Sequence, residues 1–222
     1  MEIKIQSIRK SFRRNTPLSD ISFSANAGMC VGILGKNGSG KSTLFSILAG
    51  VLPADSGSFL LDGVDLFSAP KQRSAVIGYV PQGTPLLEEL SARDNLRLWY
   101  TTDELKRALD CGVLAMLGIP DFLGVPVSKM SGGMKKRLSI GCAVARDPDI
   151  LLLDEPTAAL DLPCKEIISS YLHDCKRRGK ILLLATHDEH ELALCDTLYI
   201  LRNGVLDPYH YTGDVNDLTD RL

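Results

Sequence analysis

The sequence offers no apolar run long enough to cross a bilayer. Its first residues, Met1-Glu2-Ile3-Lys4-Ile5, alternate like a strand where a secretory leader needs an apolar block. No direct membrane insertion and a cytoplasmic location are therefore expected, and work at a membrane requires another protein to hold the chain there. The six cysteines include no C-x-x-C pair and have no histidine at metal-ligand spacing, which leaves zinc out and points to reduced, packed thiols. Excess charge is missing too: 25 basic against 27 acidic residues leave a net charge of -2, with no general pull on nucleic acid or anionic lipid. Repeats and low-complexity tracts are also absent. What remains is an ordinary globular composition, 45% apolar and 23% charged, in a chain of 222 residues that suffices for one sizeable core.

Within it, Gly35-Lys36-Asn37-Gly38-Ser39-Gly40-Lys41-Ser42-Thr43 reads as a socket for phosphate. The apolar run Cys30 to Leu34 precedes it, and Leu44 to Ala49 follows with helical spacing, so the order is strand, glycine loop, helix. Glycines at 35, 38 and 40 let backbone N–H groups converge on an anion, and the helix adds its own unpaired N–H groups and dipole. Lys41 reaches the β and γ phosphates of a nucleotide, and the Ser42 hydroxyl binds the bridging Mg²⁺.

Around the loop, Ile3, Ile5 and Ile8, then Ile21 and Phe23, suggest two edge strands. Short strands are expected over 57–61 and 76–80, the second stopped by Pro81-Gln82-Gly83. From Ser91 to Gly118 the apolar residues Leu96, Leu98, Trp99, Leu105, Leu109, Val113, Leu114 and Leu117 recur near the helical period, and this block, to about Ala145, forms a helical lobe. The runs 150–153 and 181–185 are continuously apolar, as in parallel strands covered on both faces, with a helix over 162–178 between them. A last strand is expected at 197–201; the polar remainder to Leu222 carries no chemistry of its own.

At the end of the 150–153 run stand Asp154 and Glu155. Ligands of open parallel sheets bind at such carboxyl ends. Pro156 is expected to hold Glu155 extended and to stop the strand, which gives adjacent carboxylates different roles. Asp154 is placed to hold Mg²⁺, partly through water, and Glu155 to orient or deprotonate the water that attacks the γ phosphate. Without the glycine loop, Asp-Glu-Pro reads as the start of a helix.

Six features occur in one order: Phe12, the glycine loop, Gln82, Ser131-Gly132-Gly133, the run 150–155 with Ala159-Leu160-Asp161 behind it, and His187. Over essentially its whole length the chain resembles the nucleotide-binding subunit of an ATP-binding cassette (ABC) transporter. The resemblance implies an α/β fold: a P-loop NTPase core with a mostly parallel sheet, an N-terminal antiparallel β subdomain and an inserted α-helical subdomain. It further implies a single domain over 1–222, with the core in 1–82 and 146–222 and the helical lobe in about 83–145. It implies ATP and Mg²⁺ as ligands, with Phe12 stacked on adenine beside the loop residues Gly35, Asn37, Gly38, Ser39, Gly40, Lys41, Ser42 and Thr43. Gln82 resembles the glutamine that touches Mg²⁺ and the attacking water, and His187 the switch histidine at the γ phosphate. The catalytic set is then Glu155, His187, Gln82 and Lys41, and the metal set Ser42, Gln82 and Asp154.

Ser131, Gly132 and Gly133 resemble the segment that opens a helix against the γ phosphate held by the other subunit of a head-to-tail dimer, and Ser131 is suited to cap that helix. Asp161 resembles the aspartate that connects the two sites. The family's usual Leu-Ser-Gly-Gly-Gln has methionine here at both ends, Met130 and Met134, so the polar contact of the glutamine is missing. Read without the resemblance, Lys135-Lys136-Arg137 is a solvated face.

The partners implied are a second ATPase subunit, as homodimer or heterodimer, and an integral membrane permease; no nucleic acid is expected. The permease places the chain at the inner face of the cell membrane. Leu86, Leu87, Leu90 and Trp99 are candidates for its docking groove, and the compact helical lobe points to the export type. A soluble cassette ATPase acting as an assembly scaffold is the alternative. A small phosphate-loop kinase is disfavoured by the serine-glycine-glycine run and the paired acids.

Overall fold

The computed structural model describes residues 1–13, 15–211, 213 and 221; the other residues of the expected 1–222 domain, most of the polar remainder among them, lie outside the described residues. In chain order the elements are β1 (Glu2–Phe12), β2 (Asn15–Asn26), β3 (Cys30–Leu34), α1 (Lys41–Ala49), β4 (Ser56–Leu61), β5 (Val64–Asp65), α2 (Pro70–Val76) and β6 (Ile77–Val80). Then come α3 (Ala92–Arg97), α4 (Thr102–Asp110), α5 (Val113–Met116), α6 (Gly132–Ala143), β7 (Ile150–Asp154), α7 (Leu162–Arg177), β8 (Ile181–Ala185), α8 (Glu189–Leu194), β9 (Thr197–Arg202) and β10 (Val205–Tyr209). The strands follow the order β5-β4-β1-β2-β10-β9-β3-β8-β7-β6. From β9 to β6 the neighbours run parallel, and β5, β4, β1 and β2 form the antiparallel half. The expected class is therefore the observed one.

The central strands are apolar throughout because both faces are covered. In β7, Ile150 and Leu152 join one core while Leu151 and Leu153 join the other; β8 divides the same way, Ile181 and Leu183 against Leu182 and Leu184. This is the two-residue alternation of a strand, with hydrophobes on both sides. One core contains Leu44, Phe45 and Leu48 of α1 together with the antiparallel strands; the other contains Leu138, Ile140, Ile168 and Leu172 of α6 and α7 and the helical lobe. Each fully buried leucine contributes about 1.5–3 kcal/mol.

Three expectations change. Neither β1 nor β2 is an edge strand: β1 pairs with β2 on one side and with β4, which returns antiparallel after α1, on the other, and β2 is flanked by β1 and β10. The block 91–118 is not continuously helical. Ser91 and Thr101 accept backbone N–H bonds as caps of α3 and α4, so the helices start afresh there, and Leu98 and Trp99 are left exposed in the gap between them. Lys135-Lys136-Arg137 is no solvated face either. Lys136 is 5% exposed, Lys135 pairs with Glu88, and Arg137 donates to the Leu117 carbonyl above the Phe122 ring.

Candidate active site

Four neighbouring parallel strands deliver their carboxyl ends to one place: β3 runs into the glycine loop, β8 into Thr186-His187, β7 into Asp154-Glu155, and β6 into Pro81-Gln82. Residues far apart in sequence meet because the sheet order is β3-β8-β7-β6. A cleft of about 370 Å³ is lined by Phe12, Asn15, Pro17, Asn37, Gly38, Gly40, Lys41, Ser42, Thr43, Gln82 and Glu155. A second hollow of about 370 Å³ shares Asn37 and Glu155 with it and adds Ala158, Ala159, Lys165, Thr186, His187 and Asp188.

The loop requires its glycines in two ways. Gly38 and Gly40 have φ of 81° and 114°, a region that side chains disfavour. A Cβ on Gly35 would come within 2.6 Å of Ser39 Oγ and 2.7 Å of the Leu201 carbonyl. Gly40 starts α1 without any side-chain cap, so no side chain competes for the first N–H groups of the helix. Lys41 is buried and donates to the carbonyls of Gly35, at 2.5 Å, and Lys36, at 3.3 Å. Burial holds its pKa below the usual lysine value, and the charges of Glu155 and Asp154 pull it back up.

Asp154 is 1% exposed. Burial raises its pKa; the Ser42 hydroxyl, acting against that, is the leading influence that lowers it. Its Oδ2 is buried without a hydrogen-bond partner. A carboxylate oxygen left over beside a serine hydroxyl at the floor of a phosphate cleft suits a Mg²⁺ ligand. No cluster of three or more His, Cys, Asp or Glu suited to a metal occurs among the described residues.

Glu155 is not extended, as expected before a proline, but sits at φ 49°. Its N–H donates to the Ala185 carbonyl of β8 at 2.8 Å, and its Oε2 accepts from Gln82 Nε2 at 2.9 Å; the two bonds hold it in that conformation. Nor does Asp-Glu-Pro open a helix: α7 starts only at Leu162, capped by Asp161, which accepts from the Cys164 N–H at 3.1 Å. His187 stands half exposed at the rim. Its pKa lies below 6.5, through burial first and then the Lys41 charge, with Glu155 opposing. Phe12, 44% exposed, ends β1 at the mouth of the cleft with the Lys10 ammonium 5.4 Å from its ring centre.

Ser131, Gly132 and Gly133 line neither hollow. Ser131 caps α6, accepting from the Met134 N–H at 3.2 Å, with Ser131 and Gly132 exposed. Gly133 packs so closely on Cys164 that a Cβ there would meet its sulfur at 2.4 Å. Of the groove candidates, Leu86 and Trp99 line an apolar groove of about 580 Å³ with Tyr79, Pro81, Cys142 and Arg146. Leu87 and Leu90 do not line it: Leu87 is exposed elsewhere, and the Leu90 carbonyl accepts from Val127.

Several neighbours escape sequence reasoning. Asn15 and Pro17 complete the mouth of the cleft. The Lys165–Asp188 ion pair braces the loop after His187, whose Thr186 Oγ1 accepts from the Asp188 N–H at 2.9 Å. Glu191 is buried beside Thr157 and Thr186, and burial raises its pKa. Lys136 donates to the Pro81 and Gln82 carbonyls. None of these leaves a clear signal in the sequence; Lys136 sits three residues after Gly133 and three before Ser139, on the face of α6 that the structure buries.

A profile of the ABC transporter family matches residues 18–158. The Nod factor export ATP-binding protein I of Sinorhizobium fredii (strain NBRC 101917 / NGR234) is 35% identical over 208 residues, 91% of this chain but 60% of that protein. The linearmycin resistance ATP-binding protein LnrL of Bacillus subtilis (strain 168) is 31% identical over 226 residues, 99% of this chain and 71% of that protein. The chain thus spans about three fifths to seven tenths of the length of these curated relatives. Among solved structures, the ATP-binding cassette MJ0796, as a dimer in a post-hydrolysis state bound to ADP and Pi, superposes with a TM-score of 0.83 at 28% identity, covering 92% of this chain and 96% of that one. An ATP-binding subunit of an ABC transporter gives 0.83 at 25% identity, covering 99% and 94%.

Proposed function

The chain belongs to the ABC transporter family, and on that footing we propose that it binds Mg-ATP, hydrolyses it as one of two cassettes facing head to tail, and drives an integral membrane permease of export type. The observation that carries this reading is the grip of Gln82 on Glu155: Nε2 to Oε2, 2.9 Å, at the rim of a glycine loop that holds a buried lysine.

In this reading the N–H groups of the loop and of α1 receive the phosphates, and Lys41 swings from the Gly35 and Lys36 carbonyls to the β and γ oxygens. Ser42, Asp154 and the side-chain amide oxygen of Gln82 would hold Mg²⁺, which would supply charge neutralisation to the phosphates. Glu155, fixed by Gln82, takes a proton from the attacking water as its oxygen bonds to the γ phosphorus and ADP leaves. His187, whose pKa is held down in the free site by burial and the Lys41 charge, hydrogen-bonds the γ phosphate, and Phe12 stacks on the base. Ser131 and Gly132, exposed away from their own cleft, with Gly133 packed behind them on Cys164, cover the nucleotide of the facing cassette, and Asp161 relays its state.

The groove lined by Leu86, Trp99 and Tyr79 lies between β6 and the helical lobe and suits a short apolar helix from the permease, which keeps the chain at the inner face of the membrane. Export is supported by the name of a relative that matches 91% of this chain. The chain divides accordingly into a core, 1–82 and 146–222, and a lobe, about 83–145.

Glu155→Gln tests the site and the partner together. It is expected to bind Mg-ATP with unchanged affinity, to lose at least about a hundredfold in phosphate release, and to accumulate as an ATP-bound dimer on gel filtration. Used as bait on detergent-solubilised membranes, that dimer is expected to retain a multi-span protein. Ordinary phosphate release removes Glu155 as the base, and retention of soluble proteins alone favours the assembly scaffold.

A further inference from the structure

Lys136 projects from the inner face of α6 and is 5% exposed, yet no carboxylate forms a salt bridge with it among the described residues. Its ammonium donates to the carbonyls of Pro81 and Gln82, 3.1 Å each, which lie 55 and 54 positions away in sequence. Burying an ammonium is unfavourable unless hydrogen bonds and opposite charge replace the lost water. Both are present here, since Asp154, Glu155 and Glu191 set a negative field around it that partly offsets its burial.

The peptide that Lys136 grips is the one whose side chain holds Glu155, through the 2.9 Å bond from Gln82 Nε2. Polar contacts therefore run without a gap from α6 through Lys136 and the Pro81-Gln82 turn to the carboxylate. The amino end of the same helix is Ser131-Gly132-Gly133. We propose that Lys136 is a positioning residue for hydrolysis: it clamps the Gln82 turn to α6, so that Gln82 presents Glu155 correctly only while α6 is seated. The inference rests on the roles given above to Gln82 and Glu155. A lysine suits the task because a compact ammonium with three donors on a flexible stem reaches two carbonyls at once. Seating of α6 against the nucleotide of a facing cassette is thereby felt at Glu155 of its own chain.

Steady-state ATPase kinetics, with Mg-ATP binding measured separately, test this. Lys136→Met is expected to lower kcat about ten- to hundredfold, as misplaced catalytic groups do, with the Kd for Mg-ATP within about twofold of wild type. Lys136→Arg, which keeps charge and donors, retains at least about half the turnover. In a Gln82→Ala background, itself slow, Lys136→Met is expected to add less than about twofold, because both changes break one path. Wild-type kcat in Lys136→Met overturns the proposal, and so does an equal fall in the Gln82→Ala background, which marks a merely structural tether. Should the methionine variant fail to fold, Lys136→Gln against Lys136→Arg decides: a slow glutamine variant and a fast arginine variant support the clamp, and equal rates overturn it. Glu155→Gln and Gln82→Ala measured alongside keep the two readings apart. If both are slow while Lys136→Met is fast, only this inference fails; if Glu155→Gln turns over normally, the reading of the site fails.

Discussion

His187 shows how a residue's surroundings set its charge at the pH of the cell. Burial and the Lys41 cation both disfavour the imidazolium, so the folded pKa is depressed below 6.5. As pH falls, the unfolded chain takes up this proton first, so the contribution of His187 to stability is intact above 6.5 and is lost as pH falls toward the depressed value. Asp154 and Glu191 have raised values and act in the opposite sense, which is why the difference between two proteins is the quantity to measure. His187→Gln is expected to lose less melting temperature than wild type between pH 7.5 and 5.5. The difference corresponds to less than about 1 kcal/mol, since the ring is half exposed and screened by solvent. Equal acid sensitivity would show that the imidazole does not titrate in this window. At this scale the glycine loop, Asp154 and Glu155 are legible in the sequence because their chemistry demands fixed residue types at fixed spacing. Lys136 is not, since a lysine in a basic run is usually solvated and only the sheet order brings Gln82 beneath it. The backbone of Glu155 departs from expectation for a related reason: it is set by the Ala185 carbonyl, a partner distant in sequence, against the local preference that precedes a proline.

Among the elements, β1 and β4 show a constraint that local sequence does not reveal. The register of the pair shifts between Gln6 and Arg9, and Ser7 takes φ 48°, so a bulge interrupts the ladder. Gly57 faces it with φ 98°, and a Cβ there would lie 2.6 Å from the Gln6 and Ser7 carbonyls. Gly57→Ala is expected to destabilise the fold by about 1–3 kcal/mol, which in a chain of this length lowers the melting temperature by roughly 2–12 °C. ATP turnover per folded molecule stays unchanged, because the bulge lies in the antiparallel half, away from the four strand ends that form the cleft. Thermal unfolding monitored by circular dichroism, with turnover at 20 °C, checks both parts, and an unaltered melting temperature refutes the account of the bulge. The elements most legible in the sequence are those buried on both faces, β3, β7 and β8, because an unbroken apolar run of that length between turn residues fits a covered parallel strand better than a helix. β10 is hidden because Pro208 counts against a strand. On the β2 side β10 pairs only at Val205, so a missing N–H at Pro208 breaks no ladder there.

For the whole molecule, the decisive fact is where α6 points its amino end. Ser131 and Gly132 are exposed, Ser131 caps its helix, and neither residue lines the cleft that holds Lys41 and Glu155. Among the described residues the amino end of this twelve-residue helix reaches neither hollow of the site, and in the proposed dimer a two-fold axis would bring it over the cleft of a second copy. The consequence is a complementation that no self-contained site produces. Lys41→Ala spoils the phosphate loop and Ser131→Arg spoils the covering helix, so each variant alone pairs every good half-site with a bad one and is inactive. Mixed, they form dimers in which one site joins the intact loop of the second variant to the intact helix of the first, while the other site carries both defects. With random pairing, half of the dimers are mixed and half of their sites work, so phosphate release is expected to recover to about a quarter of the wild-type rate under two-fold symmetry. Recovery should rise with the time allowed for subunit exchange and vanish on dilution below the dimer dissociation constant. If mixing restores nothing although both variants fold and exchange, or if Ser131→Arg alone runs at full speed, each cassette completes its own site and the pairing of two copies has no part in the chemistry.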